Sequence, residues 1–131
     1  MEARENFIIS LRGESIGNVT LQSSKEESFQ NKTLRPILKL QNDLLIQVFI
    51  NYAIKQKEVF FDFNPDKKLA YIEHSIHRDI KFRNSLKGMI IGLFTLDEYE
   101  LYIENSSSLN KRMMNMLIER LRSQVQLIVN S

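Results

Sequence analysis

Residues 78–104 read RDIKFRNSLKGMIIGLFTLDEYELYIE, and this stretch decides the fold class. Phe82, Leu86, Met89, Ile90 and Leu93 recur at the i, i+4, i+7, i+8, i+11 spacing that sets apolar side chains on one face of a helix. Lys81, Arg83 and Lys87 fall mostly outside that face. Gly92 stands where a helix commonly ends in a left-handed residue, and Leu93 supplies the hydrophobic contact that goes with such an ending. Thr95-Leu96-Asp97-Glu98 then has the form of a capping box, in which Thr95 accepts from the Glu98 amide and Glu98 accepts from the Thr95 amide. One helix therefore stops near Ile91 and another starts near Leu96. Gly88 lies one turn before Gly92, and two readings stand: close approach of a neighbouring helix, or a plain helix end.

Working towards the N-terminus, Leu69, Ile72, Ile76 and Ile80 continue the helical pattern with a shift of face near Lys81. With no glycine or proline between, the spacing predicts one long helix from about Asp66 to Ile91. Asn64-Pro65 supplies its N-cap and first residue. Val59, Phe60, Phe61 and Phe63 precede it; aromatics of this kind usually plug a core, and the alternative is a ligand-binding wall. Further back, Leu34, Ile37, Leu38, Leu44, Leu45, Val48, Phe49 and Tyr52 form a wide stripe running to about Lys57, with Thr33 as its N-cap and Pro36 in its first turn. A helix so broadly apolar is central in a bundle or lies at an oligomer interface.

Towards the C-terminus, Asn105-Ser106-Ser107-Ser108 breaks the acidic helix and caps the next. In that last helix Met114, Ile118, Leu121, Val125 and Ile128 recur at spacings of four, three, four and three. The pattern is a short heptad seam, read first as packing inside the bundle and second as a self-association seam.

The N-terminal region is patterned differently. Phe7, Ile9 and Leu11 alternate, Gly13 offers a turn, and Val19 and Leu21 alternate again, which suggests a small β-hairpin. Ser23 to Lys32 reads as a polar connector. The expected architecture is mainly α: a single-domain, four-helix bundle-like fold over 33–131, with 1–32 as an N-terminal extension.

At 131 residues the chain is long enough to bury one core, and 43% hydrophobic with 26% charged residues is ordinary for a soluble globular protein. Eighteen basic against sixteen acidic residues leave +2, so a nucleic-acid partner would have to be recognised by a local cluster. With no cysteine, disulfides, thiolate metal sites and cysteine nucleophiles are excluded. The charged start MEAREN and the broken apolar run behind it fit neither a signal peptide nor a span, so a cytoplasmic protein without membrane association is expected.

His74 and His77 are the only histidines, three apart on one helix beside Glu73 and Asp79. Residues at i and i+3 share a face, so the pair are the candidate metal ligands, and a solvated helix surface is the better reading. Neither histidine is paired by sequence with a hydroxyl nucleophile, and no glycine-rich phosphate loop occurs among the four glycines, so no catalytic residue and no cofactor is expected. Arg78, Lys81, Arg83 and Lys87 form a basic helix flank that Lys111 and Arg112 would join if the helices are antiparallel neighbours. The flank is the candidate anion or nucleic-acid site. Lys111 and Arg112 sit oddly, because cations at a helix start oppose its dipole.

Three blocks, LRPILKLQND at Leu34 to Asp43, KFRNSLKGMIIGLFT at Lys81 to Thr95 and LNKRMMN at Leu109 to Asn115, resemble a family of short bacterial proteins that often carry the label glyoxalase. The resemblance covers roughly Thr33 to Leu127, brings no catalytic residues with it, and would imply a small metal-dependent lyase. Glyoxalase I enzymes carry their ligands on paired β-α-β-β-β modules, and the glyoxalase II type needs an HxHxDH motif. This chain reads as helical, and its only histidine pair is His74-Ser75-Ile76-His77. The expected function is a non-catalytic helical interaction module, self-associating or bound to another protein. Nucleic-acid binding through the basic flank is the alternative.

Overall fold

The computed structural model describes residues 2–17 and 24–130, and among these every regular element is helical. Helix α1 spans Glu2–Arg12 and α2 spans Lys25–Phe29; a π-helical turn, Gln30–Leu34, leads directly into α3, Arg35–Lys55. A 3-10 turn at Val59–Asp62 precedes α4, Pro65–Arg78, and α5 follows at Ile80–Ile91. Helix α6 is Leu96–Glu104 and α7 is Ser106–Ser123, after which Val125–Leu127 forms a last 3-10 turn. The architecture is mainly α and bundle-like, as the periodicities predict. No helix among the described residues is long and apolar enough to cross a membrane.

The chain folds as two compact units, Met1–Gln41 with Lys87–Met113, and Asn42–Leu86 with Met114–Ser131. Helices α1 and α2 belong to the same unit as α6.

The first unit corrects the N-terminal reading. Phe7, Ile9 and Leu11, expected in a strand, lie on α1, and the alternation is one of exposed positions on a helix; Val19 and Leu21, the other expected arm, lie outside the described residues. Gly13 is the left-handed residue that ends this helix (φ +73°), its amide donating to the Ile9 carbonyl. The supposed polar connector contains α2, capped by Ser24, whose hydroxyl accepts from the Glu27 amide. Thr33 is not a cap. It sits inside the continuous helical run, 2% exposed, within the π turn.

Pro36 explains what happens there. A proline has no amide to offer the carbonyl four residues back, so the Lys32 carbonyl lacks its α-helical partner. The Arg12 guanidinium donates to it at 2.9 Å, and the Ile16 amide donates to the neighbouring Asn31 carbonyl at 2.9 Å. The irregularity of one helix thus becomes the anchorage of the segment that follows α1.

Gly92 also departs from expectation, since its φ is not in the left-handed region. The amides of Gly92, Leu93 and Phe94 still donate to the Gly88, Ile90 and Ile91 carbonyls of the last turn, and the carbonyls just beyond the helix are taken by arginines: Arg4 donates to Gly92 and Phe94, and Arg12 to Leu93. Cations at this end are also favoured by the dipole of α5. Among the described residues nothing outside its own helix lies within 4 Å of a Cβ built on Gly88, so none of the described helices approaches it closely. The capping box at Thr95 and Glu98 forms as read, both reciprocal bonds being present. Leu34 from the π turn, Ile37 and Leu38 from α3, Phe94 and Met113 are all but fully buried, and Phe94 meets Phe29 and Tyr102 edge to face.

In the second unit the expected helix from Asp66 to Ile91 is interrupted at Asp79. Its backbone is extended (ψ 96°), its Oδ1 accepts from the Phe82 amide, and its Oδ2 accepts from the Tyr52 hydroxyl at 2.8 Å. An aspartate that caps the following helix ends the preceding one, and here a tyrosine on α3 holds its carboxylate in place. Asn64 caps α4 with Pro65 at its first position, as the sequence predicts. The core is an aromatic cluster: Phe49 contacts Tyr52, Phe60, Tyr71 and Phe82, and Tyr52 stacks on Phe82 with centroids 3.8 Å apart. Phe60 is fully buried while Phe61 and Phe63 are half-buried. The seam residues Met114, Ile118, Leu121 and Ile128 are at most 6% exposed and Val125 is half-buried, so they pack inside their own chain, and α7 stops at Ser123 before the heptad is complete.

Candidate functional site

Helix α1 is inverted relative to an ordinary surface helix, whose apolar stripe faces the protein. The residues that hold it to its unit are mainly charged. Besides the carbonyl bonds of Arg4 and Arg12, Glu5 accepts from the Leu96 amide at 2.7 Å, and Arg12 donates to both carboxylate oxygens of Glu98, at 2.5 and 2.7 Å. Arg4, Glu5, Ile8 and Arg12 share one face, and of these only Ile8 is an apolar side chain buried at the attachment. Phe7 and Leu11, one turn apart on another side, are 70% and 62% exposed, and Ile9 is 57% exposed.

The key of this attachment is Glu98. Its side chain is 16% exposed and that of Arg12 6%. Glu98 also accepts from the Thr33 hydroxyl and the Thr95 amide. Burial by itself would push the Glu98 carboxyl up; the bonds from Arg12, Thr33 and Thr95, with the arginine charge, outweigh burial and hold it below the ordinary carboxylate value. Glu98 is thus at once the capping-box acid of α6 and the counterion of α1.

Helix α6 presents a second apolar stripe in the same unit. Leu96, Tyr99 and Ile103 recur at spacings of three and four and are 40%, 46% and 55% exposed. Asp97, Glu100 and Glu104 flank them on the exposed side, and among the described residues their side chains take part in no hydrogen bond or ion pair. The face is therefore apolar with an acidic margin.

The residues singled out for nucleic acid are distributed between the units, Arg78, Lys81 and Arg83 in the second and Lys87, Lys111 and Arg112 in the first. Arg112 is engaged by Glu26 at 3.6 Å and by the Gln30 side chain at 2.8 Å. Glu26 also accepts from Asn105 and Ser108 at the start of α7, and those two bonds, chiefly the one from Ser108, hold its carboxyl below the ordinary range. An acid placed there offsets the unfavourable position of Arg112 against the helix dipole. Arg83 donates to the His77 carbonyl, capping α4 from outside. Lys81 and Lys111 are exposed and Lys87 is half-buried.

His74 and His77 are exposed, and among the described residues no group of three histidine, cysteine, aspartate or glutamate side chains could hold a metal ion. His74 instead lines a groove of about 680 Å³ in the second unit with Tyr52, Phe63, Tyr71, Arg78 and Asp79. Burial, then the Asp79 carboxylate, pushes both the Tyr52 and the Tyr71 hydroxyls above the ordinary tyrosine value. The hydrogen bond from Tyr52, then that from the Phe82 amide, holds Asp79 below its own. Sequence reasoning missed this groove because it joins the end of α3 to α4 across the turn after Lys55. Two left-handed residues, Lys57 and Glu58 (φ 69° and 60°), make that turn, and no glycine advertises it.

No protein-family model, no curated protein and no solved structure matches the chain.

Proposed function

We propose that this chain is a non-catalytic cytoplasmic interaction module that binds a partner protein through the outer faces of α1 and α6. The observation that carries the reading is the inversion of α1: arginine and glutamate fasten it while Phe7 and Leu11 point to solvent. Exposed large side chains in a row mark an interface more often than chance, and polar fastening keeps them exposed instead of letting them collapse inward. The free carboxylates of Asp97, Glu100 and Glu104 choose the partner's chemistry, a basic amphipathic helix with apolar side chains one turn apart. They also oppose pairing of this face with a second copy of itself, and the C-terminal seam is already buried.

The test compares capture from the native cells by the tagged wild-type chain and by the Phe7→Glu, Leu11→Glu double variant, each with and without nuclease. The reading requires a protein of fixed stoichiometry that the wild type retains, the double variant loses, and rising salt weakens. Equal recovery by both chains, or recovery abolished by nuclease, refutes it.

A further inference from the structure

We infer that the groove of the second unit is a binding site for a small organic carboxylate with a flat apolar body. The walls are Tyr71 and Phe63, with Ala70 exposed between Lys67 and His74 on the same face of α4. Tyr71 is already fixed by edge contacts with Phe49 and Phe63, so its ring is a rigid surface that needs little ordering when a ligand arrives. The volume of about 680 Å³ and an apolar lining with a few convergent polar groups are those of a small-molecule site.

The sign of the ligand's charge follows from which polar groups are already engaged. Asp79, the only acid among the described residues that line the groove, has both oxygens hydrogen-bonded, by Tyr52 and the Phe82 amide. Arg78 ends α4 exposed, and among the described residues no hydrogen bond or ion pair engages its side chain or that of His74. Lys67 lies over the Phe63 ring at 5.7 Å, its ammonium still open to a further acceptor. The acceptor is engaged and the donors are not, so the groove complements an anion attached to an apolar plane. The fixed fork of the arginine matches a carboxylate's two oxygens, which places the acid group at the Arg78 end and the ring on Tyr71. A quaternary or primary ammonium would meet two cations, Arg78 and Lys67, and one carboxylate, Asp79, whose two oxygens already accept hydrogen bonds.

The probes are 1-naphthoate, its neutral amide 1-naphthamide and 1-naphthylmethylammonium, each titrated into the full chain while NMR shifts of the Tyr71, His74 and Arg78 resonances are followed. Naphthoate is expected to saturate those shifts, with the amide and the amine weaker by about tenfold or more, the usual discrimination of a charge-assisted hydrogen bond. Arg78→Gln, at an exposed position without partners, should bring naphthoate down to the affinity of the amide. Ala70→Trp should fill the floor and remove binding of all three probes. Equal binding of the three probes, retention of naphthoate affinity by Arg78→Gln, or absence of saturable shifts at these residues each overturns the assignment.

Discussion

Replacing Glu98 by glutamine tests how α1 is held, because the substitution keeps the shape and removes only the charge. Glutamine can still accept from the Thr95 amide, so the cap of α6 survives in part. What is lost is the counterion of an Arg12 side chain only 6% exposed. Removing one partner of a buried ion pair typically costs about 3–5 kcal/mol. Arg12 keeps its bonds to the Leu93 and Lys32 carbonyls, which argues for the lower end, about 3 kcal/mol. With a urea dependence of about 1–3 kcal/mol per molar for a chain of this size, the midpoint should fall by about 1–3 M. A double-mutant cycle with Arg12→Met sharpens the test: the double variant should lose less than the sum of the single losses by about 1–3 kcal/mol. The pH dependence has a fixed sign. Because the Glu98 carboxyl is held below its ordinary value of 4.5, its contribution is complete above that value and disappears as the pH falls through the depressed one. Wild type and Glu98→Gln should therefore converge in acid. A loss under about 1 kcal/mol at neutral pH, or additive single variants, refutes the reasoning.

Four further outcomes follow from the same geometry. Ile8→Ala should cost about 2 kcal/mol or more in a urea titration, whereas Phe7→Ser, at a position 70% exposed, should change stability by less than about 0.5 kcal/mol. Asp79→Ala should destabilise by about 1–2 kcal/mol and speed amide exchange at residues 80–83, while Asp79→Asn, which can still cap, should cost visibly less. In an alkaline titration followed by tyrosinate absorbance, Tyr52 and Tyr71 should ionise later in the folded than in the unfolded chain; their raised values support the fold below the ordinary tyrosine value of 10 and cease to do so as the pH climbs past it. Ile118→Ala and Leu121→Ala should each cost about 2–4 kcal/mol without changing the mass measured by light scattering, because those side chains are buried within one chain.

Part of the local chemistry was legible in the sequence, although the caps by Ser24 and Asp79, each three residues from the amide it accepts from, were not read. Thr95 with Glu98 and Asn64 with Pro65 are complete signals over four residues and two, and both form as read. The stripe of α3 is legible where burial and helical period coincide, at Ile37, Leu38, Leu45 and Phe49, whereas Leu44, read into the same stripe, is 50% exposed. The break at Asp79 was not, since what fixes it is a tyrosine twenty-seven residues earlier. Nor was the nature of α1: a helix whose apolar residues face outward leaves Phe7, Ile9 and Leu11 looking like a strand. The arginines that hold the turn after α5 illustrate the same point, since the Gly92 carbonyl is claimed from eighty-eight residues away. At the candidate sites, the basic residues were visible but not their engagement. Nothing near Arg112 in sequence announces Glu26, and nothing near His74 announces Tyr52 as a neighbour across the groove.

The outer face of α1 is the central claim, and a photo-crosslinking amino acid at position 7 in the native cells tests it most directly. The account predicts one dominant adduct whose cross-linked peptide, identified by mass spectrometry, is a basic amphipathic helix of another protein, with the same residue at Ile8, buried at 6% exposure, giving none. Adducts spread over unrelated peptides, an adduct to a second copy of this chain, or no adduct at all would contradict it.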